Sequence, residues 1–191
     1  MNLKIAVQPI EEPVTLVEAK AHLRVDVSDD DTLISSLIKS ERFICEDVAR
    51  RSFVSRTYDL YLDNWWNGMD AIKLPLPPLV SVTSIEYTNS NGVVATFDSA
   101  NYVVDTAGEP GRVALAYGKT FPSATLQSIN AIKIRYVAGY GGASSVPDNY
   151  KAAIKLVLAH LYENREEVGY QVASKLPLGA ESILMMNRGW R

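Results

Sequence analysis

The chain has a single cysteine, Cys45, in 191 residues. No intrachain disulfide can form, and thiolate-rich zinc sites are excluded. Phe43, Ile44 and Val48 around it predict a buried thiol that behaves as a small hydrophobe. Histidine is almost as scarce: His22 and His160 are the two present, and neither has a carboxylate or a second histidine at ligand spacing. Both are expected on helix surfaces, with no metal. No apolar run reaches the ~20 residues of a membrane helix. The opening MNLKIAVQPIEEP lacks the long apolar core of a signal peptide. A cytoplasm-like setting and no membrane contact are therefore expected. A surplus of positive charge is missing too. Nineteen Lys and Arg against 22 Asp and Glu leave a net charge of -3, which does not suit a dedicated DNA binder.

Catalytic signatures are absent or broken. Gly118-Lys119-Thr120 looks like the end of a phosphate-binding loop, but Val113 stands where the first glycine belongs. Phe121-Pro122 then follows where a helix should begin, so a turn after a strand is the better reading. Gly139, Gly141 and Gly142 have the spacing G-x-G-G, and Asp148 would occupy the positive end of the next helix. There is no G-x-S-x-G elbow and no H-E-x-x-H, and the nearest cation to Cys45 is Arg42. The carboxylate groups Asp29–Asp31 and Glu166-Glu167 fall at expected helix ends, where they cap or solvate. The chain is expected to be no enzyme and to take no cofactor; a small hydrolase would need a nucleophile–base pair that is not here.

What is present is apolar periodicity. Hydrophobic residues make up 47% of the chain, enough to bury a substantial core in one or two compact domains. Thr15 and Glu18 have capping-box spacing, and Leu16, Ala19 and Leu23 share one helical face as far as about Arg24. Ser28 with Asp29, Asp30 and Asp31 opens a second helix. Its stripe is Ile34, Leu37, Ile38, Ile44, Cys45 and Val48, interrupted by Glu41, and it ends near Arg50 and Arg51.

From Thr57 the period becomes two: Tyr58, Leu60 and Leu62 alternate with Asp59, Tyr61 and Asp63. Strands are predicted next at Ala71–Leu74, Val80–Tyr87, Val93–Phe97, Tyr102–Val104, Arg112–Tyr117 and Ile129–Val137. Asn91-Gly92 predicts a hairpin with a type I′ turn. Pro75, Pro77 and Pro78 mark a connection or an edge. Pro147 then starts the strongest helical stripe in the chain, Tyr150, Ala153, Ile154, Val157, Leu158, Leu161 and Tyr162. If that helix runs to Val168 it is roughly 30 Å long.

The expected fold class is α+β: a small helical bundle of two N-terminal helices plus a long C-terminal helix, with an inserted antiparallel β sandwich or barrel-like region. The expected boundaries are 1–55 with 145–170 for the bundle, 56–144 for the β region and 171–191 for a C-terminal tail. Two apolar features stay open. Trp65-Trp66 could stack on sugars or single-stranded bases, anchor a protein interface, or fold back over the β core. The segment Leu176–Trp190 either packs on its own domain or serves as a docking peptide.

Taken in order along the chain, several short patterns resemble the head–tail connector (adaptor) family of long-tailed bacteriophages and gene-transfer particles. They are Val14-Thr15-x-x-Glu18-Ala19-Lys20-x-His22-Leu23-Arg24-Val25-Asp26; Asp29-Asp30-Asp31 with Leu37-Ile38; and Glu46 through Arg50-Arg51. Next come Leu74-Pro75-x-Pro77-Pro78-Leu79-x-Ser81-Val82 with Ile85-x-Tyr87, and Tyr136-x-Ala138-Gly139-Tyr140-Gly141. Val146-Pro147, Ala153-Ile154 and Leu161-Tyr162-Glu163-Asn164-Arg165-Glu166 complete the series. Trp65-Trp66 and Met185-Met186 have no counterpart in the family.

The resemblance implies a dodecameric homo-oligomeric ring beneath the portal protein, at the virion's head–tail junction, made in the host bacterial cytoplasm. DNA would pass through its channel without sequence-specific binding, and a head-closure or tail protein would attach below. The resemblance further implies portal docking by the C-terminal segment, which here means Leu178, Ile183, Leu184, Met185, Met186, Arg188, Trp190 and Arg191. Contacts between subunits are expected from the polar faces of the second and third helices: Lys39, Glu41, Arg42, Glu46, Lys151, Lys155, Glu163 and Arg165. The alternatives are another ring component (head-closure stopper or tail terminator), against which the long third helix argues, and a carbohydrate-binding β module using Trp65 and Trp66.

Overall fold

A computed structural model describes residues 1–68, 70–164, 176–186 and 188–189. Among these residues the fold is α+β, with four α-helices and two antiparallel sheets. The described residues divide into two compact units, a β unit of residues 1–9, 55–68 and 70–139 and a helical unit of residues 10–54, 140–164, 176–186 and 188–189. Each is built from pieces distant in sequence.

In the β unit, β1 (Asn2–Val7), β2 (Arg56–Leu62), β8 (Ile132–Ala138), β4 (Leu79–Thr88) and β5 (Val94–Thr96) form one sheet in that spatial order. A smaller sheet runs β3 (Ile72–Lys73), β7 (Arg112–Leu115), β6 (Tyr102–Asp105). Period-two patterning fixes the register, because a slip of one residue would turn every apolar side chain to the wrong face. Tyr58, Leu60, Ile132, Ile134, Tyr136 and Ile85 point inward, where they share one core with Ile72, Leu74 and Val113 of the small-sheet region. Asp59, Arg135, Lys133 and Glu86 occupy the opposite face of the large sheet.

β1 was not legible as a strand. Only its antiparallel register with Thr57–Tyr61, about fifty residues on, makes it one. The predicted type I′ turn is corrected as well. Asn89 accepts Gly92 N–H at 2.9 Å, and Gly92 alone in the turn has positive φ, at 79°. A type I′ turn needs positive φ at both central residues, so this is a type I turn closed by a left-handed glycine. The Asn89 side chain, which accepts from the N–H groups of Asn91 and Val93, stabilises it.

The helical unit contains α1 (Leu16–Leu23), α2 (Asp31–Ala49), α3 (Asp148–Glu163) and α4 (Leu178–Met186). Thr15 and Glu18 make the expected reciprocal capping box. α1 and α2 both end on an arginine in the left-handed conformation, Arg24 at φ 56° and Arg50 at φ 52°. Their ends close with Val25 N–H on the Lys20 carbonyl and Arg51 N–H on the Glu46 carbonyl, a Schellman-type closure normally marked by glycine. α3 ends at Glu163, and the expected continuation to Val168 falls on residues that lie outside the described ones. Asn164 ends it by donating both its backbone N–H and its side-chain amide to the His160 carbonyl, at 3.0 and 2.8 Å.

The core of this unit joins Val14, Ala19, Ile34, Ile38, Cys45, Ala49 and Phe53 to Tyr150, Ala153, Ile154, Val157 and Leu158, and adds Ala180 and Leu184 from α4. Phe53 stacks on Tyr150 with ring centroids 4.6 Å apart.

One backbone approach in the β unit tolerates no side chain. A Cβ on Gly111 would lie 2.4 Å from Leu79 Cβ, while the Gly111 carbonyl accepts Leu74 N–H at 2.8 Å. Gly111→Ala is therefore expected to destabilise the β unit by about 1–3 kcal/mol through overpacking, lowering the urea midpoint. An unchanged midpoint would mean that the strand after Gly111 moves freely. Arg24→Gly should act oppositely, raising stability by roughly 1 kcal/mol as left-handed strain is relieved; a lower melting temperature would refute this.

Candidate interaction surface

Positions expected to meet neighbouring subunits fall into two groups. Glu41, Arg42 and Glu46 were expected on a solvated face of α2, but they are buried, at 1%, 6% and 3% exposure. The reason is an internal network. Arg42 Nε donates to Glu12 at 2.6 Å and its Nη1 to Glu46 at 2.7 Å, while the other Glu46 oxygen accepts Phe53 N–H at 2.7 Å. Glu46 thereby holds the chain leaving α2 against the helix that precedes it. A planar guanidinium satisfied on two edges is the arrangement in which a buried charge is tolerated.

Glu41 lies outside that network. Its Oε2 is buried with no hydrogen-bond partner among the described residues, and burial pushes its pKa up to about 7. The Cys45 thiol, one turn on, is raised to about 12 by burial, then by the carboxylates of Glu41 and Glu46. That keeps it protonated and unreactive, the buried hydrophobe expected.

The second group stays accessible. Lys39 and Glu163 are exposed, and Lys151 and Lys155 half-buried. Lys151 and Lys155 also serve their own chain. They help hold the Glu18 carboxyl below its ordinary range, after the backbone and side-chain hydrogen bonds from Thr15. Arg165 lies outside the described residues, as do Trp190 and Arg191.

The C-terminal segment is both packed and exposed. In α4, Leu184 and Ala180 are fully buried in the helical core and Ile183 is half-buried, whereas Leu178, Met185 and Met186 face solvent at 76%, 43% and 79%. Arg188 places Nη1 3.8 Å from Met185 Sδ, and Gly189 N–H donates to the Ala49 carbonyl at 2.9 Å. α4 is apolar around most of its circumference, as an element buried on more than one side would be.

Trp65 and Trp66 fold back over the β core. Both are buried, and Trp65 stacks on Phe121 at 4.7 Å with Phe97 and Tyr87 within 5.1 and 5.6 Å. A sugar or base stacks on an exposed indole face, which neither tryptophan offers, so the carbohydrate-binding reading is corrected. The aromatic partners at 87, 97 and 121 converge only in the fold. His22 is exposed and His160 half-buried on their helices. Among the described residues no group of three or more His, Cys, Asp or Glu could hold a metal ion, and no helix is long and apolar enough to cross a membrane.

Glu41 gives a signed pH prediction. Its folded pKa lies above the unfolded value of 4.5, so its contribution to stability is complete below pH 4.5 and is lost as pH rises through 7. The difference between Glu41→Gln and the native chain should therefore grow in favour of the variant between pH 5 and pH 8.5, by up to about 3 kcal/mol. Urea unfolding at the two values measures it. A difference independent of pH would show that Glu41 is charged and solvated in the folded chain.

No protein-family model matches the chain, and no curated protein sequence matches it. Its fold does match solved structures of a gene transfer agent (GTA) particle. A chain in the neck of an empty GTA particle, computed with C6 symmetry, superposes with a TM-score of 0.82 at 24% identity. A chain in the virion of the native particle gives 0.82 at 23%, and one in the native neck computed with C12 symmetry gives 0.79 at 22%. Each alignment covers 100% of this chain and 97% of the other. The chain thus has, from end to end, the fold of a subunit found in those assemblies.

Proposed function

We propose that the chain is a structural head–tail connector (adaptor) subunit of a tailed phage or gene-transfer particle. It forms a ring beneath the portal, through which DNA passes and to which a head-closure or tail protein attaches. The observation that carries this reading is the fold match, which leaves almost nothing of either chain unaligned. Necks computed with C6 and C12 symmetry are built of copies around an axis, and a subunit of such a ring needs two unlike lateral faces. The reading is of a structural part rather than a catalyst.

Two surfaces follow for this role. Lys39 on α2 and Lys151, Lys155 and Glu163 on α3 supply accessible charges for contacts between copies, where rim pairs set register and on-rate more than affinity. Glu41, Arg42 and Glu46 are left to internal work. For the portal, the outward Leu178, Met185 and Met186 are the candidates, while Leu184 anchors α4 from within. Two adaptable methionines on an exposed helix face suit a surface that must fit a partner of different symmetry or shape.

Negative-stain microscopy of the purified chain, alone and with its cognate portal, tests the role directly. Rings stacked on the portal are expected; attachment only at the far end of a tail tube would favour a terminator. Leu178→Asp with Met186→Asp should weaken portal binding at least 10-fold while leaving the melting temperature unchanged, because neither side chain enters the core. Undiminished binding would remove α4 from that contact. Lys39→Glu, and separately Glu163→Lys, should each raise the concentration needed for ring formation several-fold in low salt and less in high salt. A shift that ignores salt would show that these charges lie away from the contact.

A further inference from the structure

We propose that the two open edges of the five-stranded sheet pair with each other across neighbouring copies, β1 of one with β5 of the next, so that the sheet continues from subunit to subunit. This rests on the ring reading above and gives it a specific contact.

An edge strand presents a row of unpaired backbone N–H and C=O groups, and proteins usually blunt such edges with charge, proline or a bulge. Among the described residues, β1 and β5 have no neighbour on their outer sides. β1 has one charged residue, Lys4, and its ammonium is drawn back over the Tyr61 ring of the adjacent strand, 5.5 Å from the centroid. The residue that would guard the edge is engaged on its own sheet. The hairpin Ser90–Thr96 around β5 contains no charge and no proline. Large apolar side chains flank both edges in the open: Ile5 and Val7 at 36% and 57%, Val93 and Val94 at 58% and 59%. The charges of the inner strands, meanwhile, are paired. Arg135 grips Asp59 with two bonds of 2.7 Å and Lys133 meets Glu86 at 2.7 Å.

The edges also match in length. The register of β1 on β2 shifts between Ile5 and Val7, so the regular part of β1 is Asn2–Ile5, four residues. Opposite it, β5 with the preceding Val93 offers Val93–Thr96, also four. Only another extended backbone satisfies such a row of donors and acceptors. A second copy is the occupant these features favour, because every subunit brings one of each edge and a closed ring leaves neither unpaired. The two edges are different surfaces, so the contact is heterologous and propagates; β1 against β1 would be isologous and would stop at a dimer.

Cysteine cross-linking tests this in the full chain, since the native Cys45 is fully buried and gives little background. Lys4, Val94 and Thr96 all project from the polar face of the sheet. Mild oxidation of Lys4→Cys/Val94→Cys or Lys4→Cys/Thr96→Cys should give, for at least one pair, a ladder of covalent oligomers on a non-reducing gel. Each single variant should stay monomeric on that gel. Mass photometry of the same samples reports whether rings form. Rings without any ladder overturn the edge pairing alone. Cross-linking by Lys4→Cys by itself shows β1 pairing with β1 and overturns it too. A chain that stays monomeric at hundreds of micromolar overturns the ring reading, and this contact with it.

Discussion

The apolar stripe of α3 is the constraint on which the helical unit depends. Tyr150, Ala153, Ile154, Val157 and Leu158 are buried almost completely, and a sixteen-residue helix is marginal in water without such burial. Their partners, Val14, Ala19, Ile34, Ile38, Cys45 and Phe53, lie about a hundred residues earlier. The helical unit can therefore form only after the β region between has been made, or at least spanned. Each of the two units closes a long loop, and each takes its stability from contacts distant in sequence. Local unfolding of one helix therefore exposes the core that the helices share.

The segments with strong local periodicity were legible in the sequence and those without it were not. α1 announced itself through Thr15 and Glu18, the alternation in β2 showed both its type and its apolar face, and β8 was legible as a strand. β1 had no such signal, because six residues with one charge read equally well as an unstructured lead. The ends of α1 and α2 were legible near Arg24 and Arg50, even though arginine stands there in the left-handed conformation where glycine would be the usual marker. The end of α3 at Glu163 left little trace in the sequence, because an asparagine, a weak signal, caps it with two bonds to one carbonyl.

Charge was the least legible feature. Periodicity reported that Glu41 interrupts the stripe of α2, and the structure shows that interruption to be a buried carboxylate. Arg42 and Glu46 looked like an ordinary solvated pair at i, i+4 spacing. Their other partners, Glu12 and the Phe53 amide, come from segments on either side of α2 and convert a surface pair into an internal clamp. The tryptophan pair was left among three readings, and the structure selects the one in which it folds back over the β core. The sequence could not choose between them, because Phe97 and Phe121, which cover the indoles, come from elsewhere in the chain.

These placements share a direction. In the helical unit the strongest charges turn inward, and on the large sheet Asp59–Arg135 and Glu86–Lys133 satisfy each other. The Asp59 carboxyl, gripped by Arg135, is held well below its ordinary range, so it stays ionised and committed to that partner at any physiological pH. Charges paired in this way exert little long-range attraction, which leaves Lys39, Lys151, Lys155 and Glu163 as the accessible charges proposed for contacts between copies. Backbone edges and apolar side chains act beside them at contact, where salt screens little. In the connector role proposed above, a subunit would stand beside DNA while gripping protein, and electrostatics would favour that division. DNA passing near paired charges would find few counterions to release and would gain little by stopping, while the strand edges and outward methionines would be left for protein neighbours.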